Sequence, residues 1–282
     1  MVLESLFSPL KAERKPWELF FVGLLYSSIA IFLSIWIFKE HASLVMVFLT
    51  VSASIPLMYH TMKYEEKVDV KLRTEYSMLK HHARAIAFFV SLFMGFVVSL
   101  SIWYLVLPLD MTNSVFSVQT QTIKSINTQL SGGYLFPNIF YMIFFNNVKV
   151  LLFSLFFSFF YGAGAIFILT WNASVISAAV GNFARNILAE TAKSLGYIGA
   201  WDYLSVLPIS LMRYFIHGLP EIAAYFIGGL AGGIISVAVI KHDFMGDNFR
   251  KIMKDAFDLT AIAIFILFIA ALLEVFVTPI FF

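Results

Sequence analysis

The chain has 282 residues, 60% of them hydrophobic and 17% aromatic, with a mean hydropathy of +0.86. Only 13% of it is charged, about half the share usual in a soluble domain, so a water-soluble fold of this size could not hide its apolar surface. The net charge of +2 comes without a basic stripe carrying interleaved aromatics, which argues against a nucleic-acid surface; the lack of cysteine excludes disulfides and thiolate metal sites. The expected fold class is all-α: a single polytopic helical bundle in the lipid bilayer, in the cell membrane.

Residues 1–16 hold Lys11, Arg14 and Lys15 ahead of Pro16-Trp17, and proline suits the first turn of a helix. They read as a cytoplasmic, interfacial lead-in. A spanning helix needs about 20 apolar residues, and the candidates are 17–38, 44–62, 85–107, 148–171, 210–240 and 259–281. Between the second and third lies a charged hairpin, 63–84, with Lys63, Lys67, Lys71, Arg73, Lys80 and Arg84. The positive-inside rule places it and the N-terminus in the cytoplasm. Residues 108–133, rich in Ser, Thr, Gln and Asn, then face outward. Lys241, Arg250, Lys251 and Lys254 also belong inside, which requires an additional crossing after Trp171. The segment 172–190 is therefore expected to be a broken or tilted element. Residues 134–147 and 201–212, too short to span and carrying Pro137 and Pro208, read as interfacial or re-entrant pieces, a backbone that survives at depth only inside protein or along a cavity.

From Ala224 every fourth residue is small: Ala224, Gly228, Gly232, Ser236. Gly229 and Gly233 make a second GxxxG beside the first. Such rows let two helix backbones approach closely. Ser154, Ser158 and Gly162 form a similar row, as do Ala173, Ser177 and Gly181. Tight packing within one chain and homodimerisation through the glycine face are both open readings.

The polar residues inside these spans are the functional candidates. His217 and Glu221, four apart, share a helix face, with Pro220 between them freeing the carbonyl of Ile216. An acidic side chain at a helix centre costs about 2.5–3.5 kcal/mol on insertion scales. The pair can be a hydrogen-bonded tie that fixes packing, a proton- or ion-responsive site, or two ligands of a metal site. Asn146 and Asn147 precede the fourth span and Asn172 follows it; His217, Glu221 and these asparagines are expected to form one buried polar cluster. Glu274, in the last span, is counted with this cluster and reads as a partner for Arg213 or, preferably, as a snorkelling acid.

Catalytic constellations do not emerge. The EExxxR of prenyl-processing proteases fails at Glu65-Glu66, where Val70 stands in place of arginine. The GxGD of presenilin-like proteases fails at Gly162-Ala163-Gly164, followed by Ala165. Neither a rhomboid-like serine setting nor a phosphate-binding glycine loop occurs. The chain is expected to be no enzyme and to need no cofactor.

Read in order, Asn146-Asn147, Gly162 and Gly164, Asn172, Gly181, His217-Gly218-x-x-Glu221, the Gly228/Gly232 stripe, and Ala271-Leu272-Leu273-Glu274 before Val277-Thr278-Pro279 resemble the stage II sporulation protein M family over residues 138–282. The chain departs from the family pattern at Ala173, where glycine is expected, and at Ile216, where proline is expected; Pro220 supplies the kink instead. The resemblance implies a membrane-embedded, non-catalytic scaffold or regulatory subunit, with a homodimer, other membrane proteins or an AAA-type ATPase system as partners, and it suits an archaeal or thermophilic source. The competing expectation is a transporter or channel, because broken helices build substrate sites and His217 and Glu221 are buried.

Overall fold

The computed structural model describes residues 17–69, 75–130, 136–161, 165–240 and 247–281; the expected 1–16 lead-in lies outside them. In lipid a backbone N–H or C=O finds no water, so an uninterrupted apolar run settles as helix. The described residues do so almost throughout. Helix α1 is Trp17–Ile37; a single 3₁₀ turn, Lys39–His41, leads into α2, Ala42–Asp69. Helix α3 is Glu75–Val106, followed by the short α4, Leu109–Val115, and α5, Ser117–Leu130. The second half comprises α6, Phe136–Tyr161; α7, Ala165–Leu195; α8, Ala200–Ile240; and α9, Asp247–Leu272. A π-helical turn, Leu273–Val277, joins α9 to α10, Thr278–Phe281.

Among the described residues, 7 segments are long and apolar enough to cross a membrane: 17–37, 39–58, 86–106, 139–159, 165–195, 200–236 and 252–281. The all-α polytopic bundle is therefore as expected, and three details differ. The piece expected to be re-entrant at 134–147 is, from Phe136 on, the first half of α6, with Pro137 in the first turn, where no N–H is required; residues 134 and 135 lie outside the described residues. The element expected to be broken at 172–190 lies within α7, an unbroken span. Its hydroxyls bond backward onto their own helix, Ser174 to the carbonyl of Trp171 at 2.7 Å and Ser177 to that of Ala173 at 2.7 Å, so polarity does not interrupt it. The piece at 201–212 is continuous with α8 despite Pro208. Helix α7 stops at Gly196, whose φ of +80° is the left-handed conformation that glycine adopts without strain.

Alternate crossing by these seven spans puts the start of α1, the end of α2 and the starts of α3 and α9 on one membrane face, and α4 and α5 on the other. Helix α7 is central, packing against α2, α3, α5, α6 and α8. One hydrophobic core runs through both halves, from Phe88, Phe93 and Phe96 on α3 through Leu169 on α7 to Leu151 on α6 and Phe226 on α8.

Two contacts hold the layers at backbone distance. At the α1–α3 crossing a Cβ on Gly23 would meet the carbonyl oxygen of Leu92 at 2.3 Å, and one on Gly95 would meet that of Phe20 at 2.2 Å. At the α6–α8 crossing a Cβ on Gly232 would meet the carbonyl oxygen of Leu155 at 2.2 Å. Only glycine allows either approach. Beside the first crossing, the Ser28 and Ser99 hydroxyls lie 3.0 Å apart and the Trp103 indole N–H donates to Ser28 at 2.9 Å.

Candidate functional site

Helices α6 and α8 run in the same direction. Asn147 faces Glu221, Leu151 lies against Gly228 and Leu155 against Gly232, so both chains advance together. This register fixes the depth of the polar residues. Residues 139–159 of α6 form the apolar span, and Asn147 lies near its middle; Glu221 is therefore at mid-depth.

The Asn147 amide Nδ2 donates to Glu221 Oε1 at 2.5 Å, and Asn147 is itself buried. From the π turn after α9, Glu274 comes near enough to Glu221 for direct electrostatic interaction, and Tyr225 is near both acids. Two acidic groups in one low-dielectric site call for compensating positive charge or hydrogen-bond donors. Asn147 supplies one donor.

The π turn brings the end of α9 into this cluster. Pro279 has no N–H to offer the carbonyl of Val275, and the helix widens by one residue just before it. Thr278 repairs the widened turn: its backbone N–H and, at 3.2 Å, its hydroxyl both reach the carbonyl of Leu273. The same hydroxyl lies 3.1 Å from His217 Nδ1. His217 is thus tied to α10 rather than hydrogen-bonded to Glu221.

The expected cluster is therefore assembled in part. The structure brings together Glu221, Asn147 and Glu274, with His217 and Thr278 on the adjoining turn. It leaves Asn146 exposed and Asn172 half-buried on α7. Glu274 does not snorkel, nor does it pair with Arg213, whose guanidinium lies over the Phe183 ring at 4.3 Å.

The small-residue rows work inside the chain. Ala224 is buried, Gly228 meets the Leu151 side chain, Gly232 meets the Leu155 backbone, and Ser236 is half-buried at the end of the row. The parallel row faces α7, where a Cβ on Gly229 would lie 3.2 Å from that of Ala165. Gly181 packs against the Tyr104 ring. Gly162 and Gly164 lie outside the described residues.

Three features escaped the sequence reading. Gly23 and Gly95 belong to no GxxxG, but Ser91, Gly95 and Ser99 do form a row at intervals of four. Gln119, in the segment taken as outward-facing, is fully buried; it accepts from Ser43 at 2.6 Å and donates to Ser174 at 3.1 Å, linking α2, α5 and α7. Arg185 on α7 donates to the carbonyls of Tyr104 and Leu107 at 2.6 and 2.9 Å and to Thr112 at 2.9 Å. It thereby closes the open C-terminal carbonyls of α3 with positive charge. A lone arginine inside an otherwise apolar span was its signal.

A family model described as Stage II sporulation protein M matches residues 84–279, and so reaches back from the 138–279 region to take in most of α3. No curated protein and no solved structure gives a significant match.

Proposed function

From the premise that this chain belongs to the stage II sporulation protein M family, we propose that it is a non-catalytic scaffold or regulatory subunit of a membrane complex, with its N-terminus in the cytoplasm. The observation that carries this reading is the hydrogen bond from Asn147 to Glu221 on the same α6–α8 interface as the backbone contact of Gly232 with Leu155, about two turns farther along α6. The acid is met by a neutral donor at a helix crossing that cannot loosen without breaking both contacts. Such an acid fixes the register of α6 against α8. Its partners are other membrane proteins, an AAA-type ATPase system, or a second copy of the chain; a homodimer would use a face other than Gly228/Gly232, which is occupied within the chain. The reading is tested by reconstituting the protein in vesicles and measuring proton and cation flux, which a scaffold does not support.

The second reading, a transporter or channel, is favoured by one observation. Glu221 on α8 and Glu274 in the π turn interact electrostatically at mid-depth. Paired intramembrane acids recur along ion and proton pathways, and a π turn gives the helix a second arrangement to move into.

A further inference from the structure

Helix α6 is the least covered of the spanning segments: 17% of its apolar window is buried, against 28–67% for the others. Its outer face exposes Tyr141, Phe145, Leu152, Phe153 and Phe156, each more than half exposed. In the centre of that face is Lys149, also exposed. Among the described residues it has no hydrogen-bond or ion-pair partner. Lys149 is ten residues from either end of the 139–159 span, so roughly 15 Å of helix separates it from each edge. That is farther than a lysine stem can carry its ammonium to the headgroups. Ionisable side chains at such depth ordinarily face a bundle interior and find a counter-charge. This one faces outward, on the same helix face as Leu152, Phe153 and Phe156.

We infer that the outer face of α6 is the docking surface for a transmembrane helix of another protein that carries an Asp or Glu at mid-depth, with Lys149 as its counter-charge. Charge complementarity selects this occupant. A lipid tail offers no counter-ion, and a lipid phosphate is out of reach. A second copy fits less well: the acids Glu221 and Glu274 belong to the polar cluster of α8 and the π turn, and an isologous pairing through this face would bring Lys149 toward its own copy. The aromatic rings flanking Lys149 supply the apolar contact, and the salt bridge sets depth and partner choice. The inference deepens the scaffold reading by naming the chemistry of its partner. Its test is separate, because peptide selectivity at Lys149 can fail while the chain still carries no flux.

The probe is a synthetic apolar helix of about 20 residues with one Glu at its centre, compared with otherwise identical Gln and Lys peptides. Each is labelled and titrated against the full-length protein in vesicles by energy transfer. The Glu peptide should associate about tenfold more tightly than the Gln peptide. Lys149→Leu should abolish that preference, and Lys149→Glu should transfer it to the Lys peptide. Lys149→Leu removes an uncompensated charge from an exposed face, so it should fold at least as well as the parent. Equal or absent binding of the Glu and Gln peptides would overturn the proposal. So would efficient disulfide formation between copies carrying Lys149→Cys in a chain with no other cysteine, since that would assign the face to a second copy.

Discussion

Substituting alanine at three glycines of α8 separates close backbone packing from ordinary glycine content. At Gly232 the new Cβ would lie 2.2 Å from the Leu155 carbonyl oxygen, 3.0 Å from its carbon and 3.1 Å from its Cα, all backbone atoms. Relief requires α6 and α8 to separate by about 1 Å, which opens the neighbouring contacts and costs about 1–3 kcal/mol, at the upper end because backbone cannot rotate away. At Gly228 the obstacle is the Leu151 Cδ1 at 2.3 Å, the tip of a side chain that can change rotamer, so the cost should be lower. At Gly218 nothing lies within 4 Å. There alanine should be neutral or stabilising by up to about 1 kcal/mol, because it restricts the unfolded chain. Denaturation by sodium dodecyl sulfate in mixed micelles should therefore rank stability as Gly218→Ala above Gly228→Ala above Gly232→Ala, and Gly232→Leu should fail to fold. If Gly232→Ala proves as stable as Gly218→Ala, the α6–α8 contact is wrong.

The α1–α3 crossing predicts the same for Gly95→Ala, whose Cβ would meet the Phe20 carbonyl oxygen at 2.2 Å; a loss of about 1–3 kcal/mol is expected in the same assay. Removing the Arg185 guanidinium with Arg185→Ala frees three acceptors and should cost about 2–4 kcal/mol, whereas Arg185→Lys should recover only part of it because lysine lacks the planar fork. Asn147→Leu leaves Glu221 without its donor and should destabilise by about 1–3 kcal/mol, but less in a Glu221→Leu background, as a double-mutant cycle would detect. For topology, single cysteines at Lys67 and Lys251 should both label from the cytoplasmic side only; labelling from opposite sides would remove the crossing assigned to α7.

The fold class was legible because runs of about 20 consecutive apolar residues settle as helices in lipid, whereas a closed barrel needs alternating strands. Parity of the basic segments, which hold 13 of the 19 Lys and Arg, required the extra crossing that α7 provides. Helix continuity was harder to read. Pro137, Pro208 and Asn172 look like interruptions by composition, yet a first-turn proline costs no hydrogen bond and a helix packed on its neighbours tolerates an interior one. The Gly228/Gly232 stripe announced a close contact but not its partner, since a small-residue row is identical whether it meets its own chain or a copy. In the polar cluster, residue type pointed to Asn147 and Glu274, but spacing of four joined His217 to Glu221, whereas Glu221 bonds to Asn147 on α6 and His217 to Thr278 on α10. Only the tertiary register of three helices determines that.

The central claim is that Glu221 fixes packing in a subunit that moves no solute. Its most direct test measures Glu221→Gln and Glu221→Ala side by side, for stability and for proton or cation flux in reconstituted vesicles. An amide can keep the hydrogen bond at this position, so Glu221→Gln should stay near the parent, while Glu221→Ala should lose about 1–3 kcal/mol by leaving Asn147 unpaired. The parent and both variants should show no flux above that of empty vesicles. A pH-dependent flux in the parent that both substitutions abolish, with stability unchanged, would contradict the scaffold reading and establish transport.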